Sequence, residues 1–326
     1  MLLQIVAIIA GLGLTIWSAD RFVDGAATTA ARLGISPLVI GLTIIAVGTS
    51  APEIATSALA AAQGYPGLGI GNAVGSNVAN IGLILGITAL VIPLKLRSAS
   101  LRRELPLLIV VTLICLLLLA NHQLERLEAG VMLLMFVASL LWLAWLAKQS
   151  GPDDPIVPDI PDPLHGGASL KTALGQLFLG LGVLLAAAQL LVWGAGSLAA
   201  TLGVSELVVG LTIVAIGTSL PELATCIAAA LKGQHDIAVG NIIGSNLFNL
   251  LIVLPLPGLI APGPVPDGVL SRDYPVMIGF SLLIVVLARG FGGRGVIHRW
   301  QGGLLLLLFL AYQLLLLGTS GVGAVR

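Results

Sequence analysis

Ten apolar stretches follow one another along the chain, each close to the roughly 20 residues that a helix needs to cross a bilayer. They fall at about residues 2–30, 37–63, 67–92, 104–120, 127–148, 169–200, 206–232, 236–260, 273–289 and 301–317. Between the fifth and sixth lies a stretch rich in Pro and Asp, residues 149–168, which reads as a linker. The pattern predicts an all-α polytopic membrane protein: a first set of five spans over 1–148, a cytoplasmic linker over 149–168, and a second set over 169–326. The first span begins directly, without the basic n-region and small-residue cleavage site of a secretory signal.

Polar residues interrupt four of these stretches, and they do so twice over. Gly41–Thr56 carries the core Gly48-Thr49-Ser50-Ala51-Pro52-Glu53, and Gly210–Thr225 carries Gly217-Thr218-Ser219-Leu220-Pro221-Glu222. Twelve of the sixteen positions are identical and the other four exchange one apolar residue for another. A second motif, Gly71-Asn72-Ala73-Val74-Gly75-Ser76-Asn77-Val78-Ala79-Asn80, returns as Gly240 to Asn249. A constant step of 169 carries Glu53 to Glu222, Ser76 to Ser245 and Asn80 to Asn249 without a gap.

Five is an odd number of crossings, so the second copy enters the membrane upside down relative to the first. Inverted repeats of this kind place a transporter's site at the midplane between the halves. Loop charges fix the orientation. Twelve Lys and Arg residues (Arg21, Arg32, Lys95, Arg97, Arg102, Arg103, Lys148, Lys171, Lys232, Arg289, Arg294 and Arg299) lie on the side opposite the N-terminus, against three (Arg126, Arg272 and Arg326) on its own side. The positive-inside rule then puts both termini outside the cytoplasm.

Composition narrows the class further. Charged residues make up 9% of the chain and the mean hydropathy is +1.08, whereas soluble domains carry about 25% charge. A formal net charge of zero with no basic face argues against a nucleic-acid partner. Cys115 and Cys226 lie in apolar runs and read as packing residues. Asp153, Asp154, Asp159 and Asp162 of the linker lack the spacing of a Ca²⁺-binding loop and read as solvated.

The repeated cores carry the chemistry. Proline has no N–H and its ring crowds the carbonyl four residues back, so Pro52 and Pro221 loosen the backbone at Gly48 and Gly217. Freed backbone at membrane depth must face a polar cavity or another protein group. Each break gathers carbonyls, the hydroxyls of Thr49 and Ser50 or Thr218 and Ser219, and a glutamate: hard oxygen ligands suited to Na⁺ and Ca²⁺. Asn72, Ser76 and Asn80 stack on one helical face with Asn77 beside it, and Asn241, Ser245, Asn246 and Asn249 repeat that face. Gly71, Gly75, Gly82, Gly240 and Gly244 allow close helix approach.

Taken singly, Ser, Thr and Asn in a span are interhelical glue worth about 0.6 kcal/mol each. An intramembrane carboxylate is different, since it costs at least roughly 2.5 kcal/mol and marks function by default. Glu53 and Glu222, at equivalent positions with the same neighbours, are therefore the site. Asp20, Asp24 and Glu104 sit beside arginines at span ends and read as interfacial ion pairs. His122, His165, His235 and His298 lie in loops or at boundaries, too far out for a proton relay.

The spans contain no Ser/Lys, paired-Asp or His-Glu-x-x-His arrangement of an intramembrane enzyme. A single central pair of glutamates under inverted symmetry fits a carrier better than a channel filter.

Gly-Thr-Ser-x-Pro-Glu followed by Gly-Asn-x-x-Gly-Ser-Asn-x-x-Asn, present twice in ten spans, resembles the cation/calcium antiporter superfamily and within it the prokaryotic sodium/calcium exchangers. Ser271 to Tyr274 resembles the inner-membrane bacterial branch, which implies a plasma (inner) membrane location. The resemblance implies a secondary antiporter exchanging Ca²⁺ for Na⁺ by alternating access. Glu53 and Glu222 would be shared ligands, completed by Asn80 and Asn249. Ser50, Ser219 and the carbonyls of Ala46, Thr49, Ala215 and Thr218 would form flanking Na⁺ sites, and Ser76 and Ser245 would add oxygens. Some members carry Asp where this chain has Asn249, so two formal charges stand here instead of three, and K⁺ dependence is not expected. A Ca²⁺/H⁺ antiporter of the same fold is the alternative. No cofactor is implied beyond the transported ions, and the partners implied are membrane lipid, Ca²⁺ and Na⁺, with no obligate protein partner.

Overall fold

The computed structural model describes residues 1–32, 50–95, 101–149, 169–231, 233, 235–289 and 295–319. In lipid a backbone can satisfy its own polar groups only as helix or closed barrel, and the apolar stretches form helices. In chain order they are α1 (Leu2–Arg32), α2 (Ala51–Ala62), α3 (Pro66–Val91), α4 (Leu101–Leu118) and α5 (Arg126–Gln149). The second set is α6 (Leu170–Leu202), α7 (Glu206–Leu231), α8, α9 (Tyr274–Arg289) and α10 (Arg299–Thr319). Helix α8 runs through His235–Phe248, a π-helical turn Asn249–Val253 and Pro255–Ile260. Residues 37–49 of the second apolar stretch, Ala46 and Thr49 among them, and nearly all of the linker lie outside the described residues.

Among the described residues four two-residue strands tie the loops together: β1 (Leu94–Lys95), β2 (Gln123–Leu124), β3 (Gly263–Pro264) and β4 (Val296–Ile297). β1 pairs with β4 and β2 with β3, both antiparallel. Because α4 crosses between β1 and β2, the two ribbons lie at opposite ends of the bundle. The step of 169 carries β1 onto β3, and each ribbon joins the loop after the third span of one half to the loop after the fourth span of the other. One ribbon is therefore the other turned over, as an inverted repeat requires.

Helices α1 and α6 pack antiparallel along their length, and the repeat explains how they come so close. Gly11 lies where an added Cβ would meet Leu191 Cβ at 3.0 Å, and Gly180, 169 residues on, faces the backbone of Phe22, the counterpart of Leu191. Gly25 abuts Leu177 and Ala173, and its counterpart Gly194 abuts Ile8 and Gln4. The four contacts are two contacts seen twice through a two-fold axis. At about 1.5 Å per residue, the 33 residues of α6 extend over roughly 50 Å, more than a bilayer core is thick. Ser169 starts this helix by accepting from the Thr172 N–H at 3.2 Å, and Gly203, at φ +66°, ends it in the left-handed conformation.

Inside lie α3 and α8. Residues 67–82 are buried without exception, which marks α3 as a central helix enclosed on every side. Where α9 begins, Asp273 is fully buried. Arg272 grips both its oxygens, Nε to Oδ1 at 2.7 Å and Nη2 to Oδ2 at 3.1 Å, and the Tyr312 hydroxyl donates to Oδ1 at 2.9 Å. Next to it the Tyr274 hydroxyl donates to the Thr112 carbonyl at 3.1 Å, joining α9 to α4. Stripping one partner from a buried pair strands the other charge. Arg272→Ala is therefore expected to lower unfolding stability in detergent by about 3 kcal/mol. Arg272→Lys, which cannot grip in two places, should recover less than half of that loss.

Candidate cation site

Glu53 and Glu222 stand where each repeated core resumes its helix. Ser50 has φ −89° and ψ 6°, and Ser219 has φ −86° and ψ 6°, so the two chains leave helical geometry at equivalent serines in nearly the same conformation. Proline follows at the second position of the new helix in each case, where its missing N–H costs nothing. Both glutamates thus lie in the first turn of a twelve-residue helix, Ala51–Ala62 or Leu220–Leu231. The helix dipole there favours a negative charge.

The site residues inferred from sequence and described here are all deeply buried: Glu53, Glu222, Asn80, Asn249, Ser50, Ser219, Thr218, Ser76, Ser245 and Ala215. Asn80 and Asn249 are each the first residue of a π-helical turn, Asn80–Leu85 in α3 and Asn249–Val253 in α8. The inner helices are thus interrupted by π turns, and α7 carries one at Gly210–Val214 ahead of its break at Ser219. π turns recur at functional positions, and nothing in residue spacing announces them.

Six buried oxygens in this set find no hydrogen-bond donor among the described residues: Ser50 Oγ, Glu53 Oε2, Ser76 Oγ, Asn80 Oδ1, Glu222 Oε2 and Asn249 Oδ1. Buried polar atoms are nearly always partnered, and an unpartnered carboxylate oxygen in a membrane interior is dearer still. Six such oxygens on equivalent elements of both halves form a set of acceptors that a cation can satisfy. Among the described residues no group of three or more His, Cys, Asp or Glu side chains exists. The charge in the set comes from the two glutamates, and the remaining ligands are neutral.

Several bonds cross between the halves. The Ser219 hydroxyl donates to Glu53 Oε1 at 3.3 Å, and the Asn80 amide donates to Asn246 Oδ1 at 2.9 Å. The Asn77 amide reaches Met277 Sδ at 3.3 Å. The helical face predicted from spacing divides in its use. Asn72 Oδ1 already accepts from the Thr218 hydroxyl at 3.1 Å, whereas the Ser76 hydroxyl and Asn80 Oδ1 are unpartnered among the described residues. The Ala215 carbonyl accepts from the Ser219 N–H at 3.2 Å and the Thr218 hydroxyl at 3.5 Å, bonds that carry the helix into its break.

Close approach holds the cage. A Cβ on Gly71 would stand 2.5 Å from Leu207 O and 3.1 Å from Gly210 Cα, and one on Gly75 would stand 2.8 Å from Ala215 Cβ. Gly82 lies equally tight against Phe309. The repeat counterparts of the Gly71 and Gly75 partners, residues 38–46, are outside the described set, so Gly240 and Gly244 are not tested in the same way.

Asp20 and Asp24 are exposed near the end of α1, where the charge of Arg21 attracts the Asp24 carboxylate and its guanidinium also lies 4.9 Å from the Trp17 ring centroid. Sequence reasoning passed over Thr56. It is fully buried one turn beyond Glu53, with an oxygen unpartnered among the described residues.

Inverted repeats closing on a buried set of oxygens define a membrane antiporter of the cation/calcium class. The model of the sodium/calcium exchanger protein family matches residues 3–145 and 172–318. The CaxA protein of Alkalimonas amylolytica is 46% identical over 97% of this chain and 99% of its own. The sodium/calcium exchanger MaX1 of Methanosarcina acetivorans is 32% identical over 94% and 96%. A solved structure of the sodium-calcium exchanger NCX_Mj, soaked with Na⁺ and Sr²⁺, superposes with a TM-score of 0.63 at 31% identity, covering 100% of this chain and 99% of that one. The chain belongs to the sodium/calcium exchanger family.

Proposed function

We propose that the protein exchanges Ca²⁺ for Na⁺ across a plasma (inner) membrane through one site shared by its two halves. The observation that carries this is the pair of buried glutamates, each with an unpartnered Oε2, among four equally unpartnered neutral oxygens. One Ca²⁺ neutralises two carboxylates, and Glu53, Glu222, Asn80 and Asn249 would bind it centrally. Na⁺ ions would use the same glutamates with Ser50, Ser219, Ser76, Ser245 and the carbonyls of Ala46, Thr49, Ala215 and Thr218. The halves are 1–148 and 169–326, joined by a cytoplasmic linker over 149–168, and the charge asymmetry of the loops supports both termini lying outside. A named relative, the inner membrane protein YrbG of Escherichia coli, 42% identical over 96% of this chain, supports the location.

Exchange follows from electrostatics. An empty site holds two uncompensated carboxylates in low dielectric and cannot pass cheaply through an occluded state. Filling it with Ca²⁺ or with Na⁺ removes that barrier, so each crossing carries an ion and leak is suppressed. The long pair α1 and α6, held to each other by the glycine contacts of Gly11, Gly25, Gly180 and Gly194, is suited to move as one body against the core of α2, α3, α7 and α8. Cross-links pinning α1 and α6 to that core should stop flux.

In proteoliposomes, an opposing Na⁺ gradient is expected to drive Ca²⁺ uptake about tenfold faster than a pH gradient alone. Equal uptake driven by the pH gradient would overturn Na⁺ coupling and favour a Ca²⁺/H⁺ antiporter of the same fold.

A further inference from the structure

Asn72 stands on the face expected to bind ions, yet the structure engages its whole amide elsewhere. Its Nδ2 donates to the Glu53 carbonyl at 3.2 Å and to Ser57 Oγ at 2.9 Å. Its Oδ1 accepts from the Thr218 hydroxyl at 3.1 Å. The orientation of the amide is determined, because a backbone carbonyl can only accept, so the nitrogen must face Glu53. Ser57 in turn donates to the Gly69 carbonyl at 3.2 Å. One fully buried side chain therefore holds the turn that carries Glu53, the next turn of α2, and the broken end of α7 from the opposite half.

The second half keeps the Ser57 arm of this relay in different chemistry. Asn241 Nδ2 donates to Cys226 Sγ at 3.5 Å, and the Cys226 thiol donates to the Ala238 carbonyl at 3.3 Å. Asn241, Cys226 and Ala238 are each 169 residues from Asn72, Ser57 and Gly69. A thiol replaces a hydroxyl, and both the donor into it and the acceptor beyond it are kept. An incidental contact would not keep its connectivity through a change of atom and an inversion of the chain.

We propose that Asn72 is a positioning residue of the exchange site, setting the first turn of α2 against the break in α7, with Asn241 and Cys226 as its counterpart brace. The proposal rests on Glu53 and Glu222 being the ion ligands. Asn72 acts here through its neighbours: it fixes the distance between the Glu53 turn and Thr218, whose hydroxyl donates to its Oδ1 at 3.1 Å and lies against the Glu53 carboxylate as well.

The test is exchange flux in proteoliposomes for the full chain, read as half-saturating Ca²⁺ and Na⁺ and as maximal rate, with Glu53→Gln alongside. Asn72→Ala is expected to raise half-saturating Ca²⁺ about tenfold, the worth of a hydrogen bond in a polar network, with maximal rate kept within about threefold. Thr218→Val, which keeps the Thr218 carbonyl, should do the same on a smaller scale, and the double variant should be no worse than Asn72→Ala. Cys226→Ala should weaken binding and Cys226→Ser should recover most of it. Should Asn72→Ala fail to reach the membrane, Ser57→Ala with Thr218→Val gives the same cycle with Asn72 in place, and their joint effect should fall below the product of the two. Wild-type half-saturation in Asn72→Ala, or effects that simply multiply, overturn the positioning role while Glu53→Gln stays inactive. Normal exchange by Glu53→Gln overturns the site assignment instead.

Discussion

Glu53→Gln is expected to cut Ca²⁺ exchange in reconstituted vesicles by at least about 100-fold, and Glu222→Gln by as much, since removing one charge of a buried pair costs roughly 3–5 kcal/mol. Glutamine keeps the shape and removes the charge, so packing is little disturbed. Both glutamates are only 1% exposed, and solvent cannot make up the missing charge. With one carboxylate a bound Ca²⁺ keeps a net positive charge in low dielectric, and the occluded state becomes unreachable. The equality of the two losses matters as much as their size. A site confined to one half would spare one of the two variants.

The second large effect is steric. Gly71→Ala and Gly210→Ala are each expected to cost roughly 3 kcal/mol of stability and to slow exchange at least tenfold. A Cβ on Gly71 would sit 2.5 Å from Leu207 O, and one on Gly210 would sit 3.0 Å from Asn72 N. The obstructing atoms are backbone on both sides, so no rotamer change relieves them and the helices must part. Parting α3 from α7 also stretches the Asn72–Thr218 bond, which lies in the same contact. Gly130 in α5 is the control, since a Cβ there meets nothing within 4 Å among the described residues. Gly130→Ala should gain up to about 1 kcal/mol from helix propensity. Thermal unfolding in detergent reads all three variants.

The sequence was most legible where the repeat enforced it. Glu53 and Glu222, Ser76 and Ser245, and Asn80 and Asn249 stand out because identical residues recur at one spacing in a setting that penalises them. The step of 169 also marks Gly11 with Gly180 and Gly25 with Gly194, the contacts that seat α1 against α6, but glycine is so common in membrane helices that the match carried no weight alone. Ser57 and Cys226 were hidden by their different side chains, though their bonds are the same. What Asn72 does was not legible at all, because spacing shows which face a residue occupies and not which partner reaches it across the halves. The π turns at Asn80 and Asn249 were silent for a related reason: one extra residue in a turn leaves the apolar pattern almost unchanged.

The central claim is that Ca²⁺ and Na⁺ share one site built by both halves, and equilibrium binding of ⁴⁵Ca²⁺ to the purified protein, with and without Na⁺, tests it most directly. The account predicts one Ca²⁺ per chain, displaced by Na⁺ and lost in both Glu53→Gln and Glu222→Gln. Two Ca²⁺ per chain, indifference to Na⁺, or full binding in either variant would contradict it.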